Sequence, residues 1–115
     1  MGIETFRHSD GLSPRQRELS GLLDLSEQIL SFAELGDWGS AVKLQRHRRL
    51  SMDAFFAEPC APAESAEVSR VIRSILDIDH QVSDILYNFR HQLVKESGAA
   101  SRGMRQVDTY LSNSV

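Results

Sequence analysis

Four histidines, His8, His47, His80 and His91, are the side chains best suited to hold a metal or move a proton near neutral pH. They are scattered, and only His80 has a partner at useful spacing. Asp84 follows it by four residues, which on a helix puts imidazole and carboxylate on one face. Two ligands do not make a zinc site, which needs three or four, so an exposed polar face accounts for both residues. Asp77 and Asp79 are two apart and point to different helix faces, which suits them poorly to shared acid–base work. Cys60 is the only cysteine. It excludes an internal disulfide and a Cys-rich zinc site. With no base adjacent in sequence, it reads as a spare thiol rather than a nucleophile. Gly36 and Gly39 lack the rest of any phosphate-binding motif. These residues give no catalytic, cofactor-binding or metal-binding assignment, and the chain reads as a non-enzyme that works by contact.

Two charged residues fall inside otherwise apolar stripes. Arg49 lies between Trp38 and Val42 on one helical wheel, and Asp79 between Ile72 and Leu86 on another. A charge there is costly unless paired. Arg49 and Asp79 are therefore expected to face each other and fix helix register, or else Arg49 extends its stem to water while Asp79 sits at a wet edge. The basic run Lys43, Arg46, His47, Arg48 and Arg49 spreads around its helix. It reads as a solvated face or as a docking patch for an acidic partner surface.

The elements that carry these residues are helical throughout. Ser13-Pro14 opens the first helix as an N-cap with proline behind it. Leu19, Leu22, Leu23, Ile29, Leu30 and Ala33 then recur at helical spacing, and Gly36 closes the helix. Asp37 caps a second helix with Trp38, Ala41, Val42, Met52 and Phe56 on one face and Phe55 at its edge. That helix stops before Pro59. The third is expected over 63–97, with Val68, Ile72, Ile75, Leu76, Val82, Leu86, Phe89 and Leu93 on one side, and would reach about 50 Å. Gly98 ends it. A short last helix over about 99–113 carries Met104, Val107 and Leu111 on one side and Tyr110 near its end. The expected fold is all-α, an antiparallel bundle of three main helices plus a short C-terminal helix. Residues 1–12 read as a mobile tail and 13–113 as one domain.

The third helix is apolar over roughly 200° of its wheel, twice what one buried face requires. Val71, Ile78, Ile85 and Phe89 mark one edge; Leu76, Tyr87 and Val94 mark the other. On the first helix, Leu25 and Phe32 lie one heptad apart and outside the main stripe. The surplus is either buried within the bundle or a homodimer, or left as a groove for a partner helix. Leu25, Phe32, Ile78, Ile85 and Phe89 are the candidate groove residues.

Composition narrows the function. With 115 residues, 13 Lys+Arg and 16 Asp+Glu, the formal charge is −3, which argues against a general nucleic-acid binder. No apolar run approaches the roughly 20 residues needed for membrane insertion. The N-terminus has no signal-peptide core, and Phe6 breaks the myristoylation pattern. A reducing cytoplasm fits one free cysteine.

The order of features resembles one known family. A Leu-rich first helix leads to Asp37-Trp38, then Arg48-Arg49 and Phe55-Phe56. A long helix then reads Ile75-Leu76-Asp77-Ile78-Asp79, Val82, Ile85-Leu86, Arg90 and Leu93, and a short helix ends in Tyr110. Over about residues 15–111 this looks like the FliT family of flagellar export chaperones. The resemblance implies a cytoplasmic type III export chaperone that binds the C-terminal helical segment of the flagellar filament cap protein and delivers it to the export apparatus. It also implies contacts with export gate or export ATPase components and a flagellar transcriptional regulator. It further implies a last helix that covers the partner site in some members. It brings no catalytic residues and no cofactor. The competing reading is a helical interaction module or regulator acting on a transcription factor or another secreted substrate, as monomer or homodimer.

Overall fold

A computed structural model describes residues 12–95 and 101–112 of the chain. Four helices account for nearly all of them: α1 (Pro14–Glu34), α2 (Trp38–Phe56), α3 (Ser65–Lys95) and α4 (Ser101–Ser112). There is no strand among the described residues, and the all-α expectation holds. The described part of the tail is Leu12 alone, and it packs against the core rather than standing free. Residues 1–11, Gly98 and residue 113 lie outside the described residues, as does the side chain of Met104.

Local chemistry sets the helix ends. Ser13 accepts from the backbone N–H of Gln16 at 3.1 Å, and the Gln16 side chain accepts from the Ser13 N–H at 2.8 Å. This reciprocal box satisfies two donors that a helix start leaves orphaned. Gly36 closes α1 with φ +74, where a side chain is strained. Its N–H donates to Ala33 O at 3.0 Å and that of Asp37 to Phe32 O at 2.9 Å, which consumes the last carbonyls. Asp37 then caps α2 through Ser40 N and Ser40 Oγ, and those bonds hold its carboxyl below the ordinary carboxylate range. The third helix begins at Ser65, two residues later than expected. Residues 61–64 form a turn in which Glu64 accepts from the Ala61 N–H at 2.9 Å.

Packing follows from stripes spaced alternately three and four residues apart. On α2 the stripe is Trp38, Ala41, Gln45, Arg48, Met52 and Phe55; on α1 it is Leu19, Leu22, Ser26, Ile29 and Ala33. All are buried except Met52, which is half-buried. α2 and α3 each lie along α1, and α4 lies against α2 and α3. The core forms two clusters. One gathers Leu19, Leu22, Leu23, Phe55, Val68, Val71 and Ile75. The other gathers Ile29, Ala33, Trp38, Ala41, Val42, Val82, Leu86, Val107 and Tyr110.

The spacing corrects one expectation. Phe55, expected at the edge, is 1% exposed, whereas Phe56, expected on the main face, is 45% exposed. A 3.6-residue wheel keeps Phe56 in line with Trp38, but a seam with a 3.5-residue repeat drifts by about 20° per heptad and brings Phe55 inward instead. Phe55→Ala should therefore cost about 3–5 kcal/mol and Phe56→Ala about 1 kcal/mol or less. Urea unfolding of both variants checks this, and equal losses would contradict it.

Candidate functional site

α4 occupies the cleft between α2 and α3. It runs parallel to α2 and back along α3, with Gln106 near Gly39 and Asp108 near Arg90. The Arg90–Asp108 pair spans 4.0 Å between exposed side chains and so contributes little. The buried side chains described on α4 are an aliphatic and an aromatic one. Val107 is fully buried and Tyr110 nearly so. Trp38 forms the hub: its ring centroid lies 5.3 Å from Tyr110, edge-on, and 5.9 Å from Phe89. The indole N–H of Trp38 is buried and finds no acceptor among the described residues. An unmet donor of this kind costs roughly 1–3 kcal/mol.

Just past Tyr110 the cleft reaches a polar layer. Arg48 Nη1 donates to Ser26 Oγ at 2.9 Å and to Asp79 Oδ1 at 2.8 Å. Ser26 in turn donates to Leu22 O at 3.0 Å. The cation that meets Asp79 is thus Arg48, not Arg49, which is exposed. The reason is the one that brings Phe55 inward: position 48 lies on the 3.5-residue seam and position 49 beside it. An open crevice of about 170 Å³ adjoins the layer, lined by Gln45, Arg48, Asp79, Ser83, Leu86, Tyr110 and Leu111. Of the remaining basic run, Lys43, Arg46, His47 and Arg49 are exposed.

The five expected groove residues do not converge on one groove. Leu25 lines a separate depression between α1 and α2. Phe32, Ile78, Ile85 and Phe89 are half-buried and pack against the Trp38 cluster. Leu76, Tyr87 and Val94, the opposite edge of α3, are the exposed ones, at 55%, 71% and 69%. One functional side chain escaped the sequence reading. Arg15 stacks its guanidinium 3.8 Å over the Phe55 ring, donates to Phe55 O at 2.7 Å and Glu58 O at 3.0 Å, and pairs with Glu64 at 3.5 Å. It closes the end of α2 and ties it to the start of α3. Its signal was its place four residues before Leu19 on the α1 stripe.

No group of three or more His, Cys, Asp or Glu among the described residues is placed to hold a metal. His80 and Asp84 are both exposed, and Cys60 is exposed and free. No helix of the described residues is long and apolar enough to cross a membrane.

The fold is an all-α bundle that packs its own amphipathic last helix, α4, in the cleft between α2 and α3. The family model for flagellar protein FliT matches residues 16–113, and the chain belongs to the FliT family of flagellar export chaperones. No curated protein and no solved structure gives a significant match.

Tyr110 links the cleft to pH. Burial pushes its phenol up from 10.0 to about 12, while Arg48 draws it down and Asp79 pushes it up. The folded-state value lies above the ordinary one. The neutral phenol therefore stabilises the docked helix fully below about pH 10, and that contribution is lost as pH rises through about 12. Fluorescence of Trp38, the sole tryptophan, should shift to the red across that window, and Tyr110→Phe should move the change to higher pH. An unchanged transition in Tyr110→Phe would contradict the assignment.

Proposed function

We propose that this protein is a cytoplasmic, non-catalytic flagellar export chaperone that holds an amphipathic helix of an unassembled substrate in the α2–α3 cleft. The proposed substrate helix is the C-terminal segment of the filament cap protein, delivered from there to the export apparatus. The observation that carries the reading is α4 itself, a 12-residue helix in the cleft whose described side chains include two buried ones, Val107 and Tyr110. Each buried side chain of this size is worth about 1.5–3 kcal/mol, and a longer helix that buries more of them can exceed the hold of α4. In this account α4 is the resident occupant, and the incoming segment replaces it by shifting the population of the open state. Trp38, Leu86 and Val82 supply the apolar floor, and Phe89 joins it through its contact with Trp38. Phe32, Ile78 and Ile85 act through the core against which they pack. Contacts with export gate or ATPase components and with a flagellar transcriptional regulator fall to the outer surface in this account.

The test is calorimetric titration of the full chain and of Val107→Asp with the C-terminal segment of the same organism's cap protein. Val107→Asp puts a charge in a fully buried position on α4 and loosens that helix. The expected result is micromolar or tighter binding, with Val107→Asp binding several-fold tighter than the full chain. Tyr110→Ala, which removes the other anchor, should act in the same direction. Absence of binding by variants that circular dichroism finds folded would overturn the reading.

A further inference from the structure

The seating of α4 records which side chains the α2–α3 cleft accepts, and where. Val107 and Tyr110 stand three residues apart on one face of the helix, and both are buried. Val107 belongs to the apolar cluster around Trp38, Val42 and Val82. Tyr110 belongs to the same cluster but has a second kind of neighbour. Its ring meets Trp38 edge-on at 5.3 Å. It also lines the crevice of about 170 Å³ that holds Arg48, Asp79 and Ser83. The phenol feels both charges, Arg48 drawing its pKa down and Asp79 pushing it up. The hydroxyl end of the ring therefore faces the polar layer, and the body of the ring faces the apolar floor.

The two positions make different demands on any helix that takes the place of α4. At the Val107 position the surroundings are apolar, and a polar side chain would be buried at a cost. At the Tyr110 position an aliphatic side chain would forgo the ring contact with Trp38. Phenylalanine would keep that contact but turn a bare edge to Arg48 and Asp79, two charges that need polar company. Lysine or arginine would stand beside the Arg48 guanidinium and be repelled by it. Spacing matters as much as type. Moving the aromatic by one residue turns it about 100° around its helix, away from Trp38.

We propose that the cleft selects its substrate helix by a two-part code, an aliphatic residue followed three positions later by tyrosine. The aliphatic side chain takes the floor beside Trp38, and the phenol lies on Trp38 with its hydroxyl at the Arg48–Asp79 layer. This selection rests on the reading of the chain as a chaperone whose incoming helix replaces α4, and it adds which helix that is. Trp38 and the Arg48–Asp79 pair set the specificity. Trp38 alone would take any aromatic ring, and the polar layer is what favours tyrosine over phenylalanine. Because α4 runs parallel to α2, the aliphatic residue comes first in the substrate sequence.

The probes are synthetic helical peptides on one alanine-rich host, titrated into the full-length Val107→Asp variant, whose own α4 is loosened. Binding is read by calorimetry and by fluorescence of Trp38, the sole tryptophan. The reference peptide carries valine and, three residues later, tyrosine. In the others the tyrosine is replaced by phenylalanine or by leucine, or is moved one residue closer to the valine. Phenylalanine should lower affinity about threefold or more. Leucine and the displaced tyrosine should each lower it about tenfold or more. The parent chain should give the same order with weaker binding throughout, because its α4 competes. A phenylalanine or displaced peptide that binds as tightly as the reference would overturn the code, as would binding that leaves Trp38 fluorescence unchanged. Failure of every peptide to bind the folded variant would do the same. A cap segment that binds while the peptides show no such order leaves the chaperone reading standing and removes the code. The expected order without binding of the cap segment supports the code and sinks the cap protein as the substrate.

Discussion

The buried guanidinium of Arg48 is the constraint around which the rest of the bundle is arranged. It is 9% exposed, and its bonds to Ser26 and Asp79 join one residue from each of the three main helices. A cation in such a place must find both partners, so the helices are fixed against sliding by a turn. Asp79 keeps about a third of its side-chain surface in water, which screens the attraction. The layer therefore specifies register more than it adds stability. It also divides the interior, with the Phe55 cluster toward one end and the Trp38 cluster toward the other.

That division sets up the cleft. On the Phe55 side the buried cluster comes from the three main helices, with Leu12 packed against it and Arg15 sealing the end over Phe55. On the Trp38 side they leave an opening that α4 completes through Val107 and Tyr110. Tyr110 places its hydroxyl-bearing ring where the apolar cluster meets the polar layer, which suits a side chain apolar along its body and polar at its tip. In the proposed account α1 to α3 form the scaffold and α4 is the replaceable part. Replaceable parts come from the low-stability end of a structure, with few buried contacts and short helical length. The proposed chaperone role needs that property: a cleft filled when idle and opened at small cost.

Much of this was legible in the sequence. Ser13-Pro14, Gly36, Asp37 and Pro59 marked helix ends because capping and proline geometry are local. The apolar width of the third helix was real, but its exposed edge proved to be Leu76, Tyr87 and Val94, while Ile78, Ile85 and Phe89 are half-buried. A wheel gives angles, not which neighbour covers them. The Arg49-for-Arg48 and Phe56-for-Phe55 substitutions came from projecting a 3.6-residue period onto helices that pack on a 3.5-residue seam, an error that grows along the helix. Asp79 was correctly singled out as a charge in need of a partner. Arg15 was missed because its partners are backbone carbonyls and a ring some 40 residues away, and no local pattern encodes those.

The central claim is that α4 opens without the bundle unfolding. Native-state hydrogen exchange over the full chain tests it directly. The account predicts that amides of residues 104–112 exchange through an opening several-fold to many-fold more populated than that governing Leu22, Ile29, Val42 and Val82, and that they do so without change in the latter. Exchange of α4 amides at the same slowest rate as those core positions, in one cooperative step, would contradict it and make α4 an integral fourth member of the bundle.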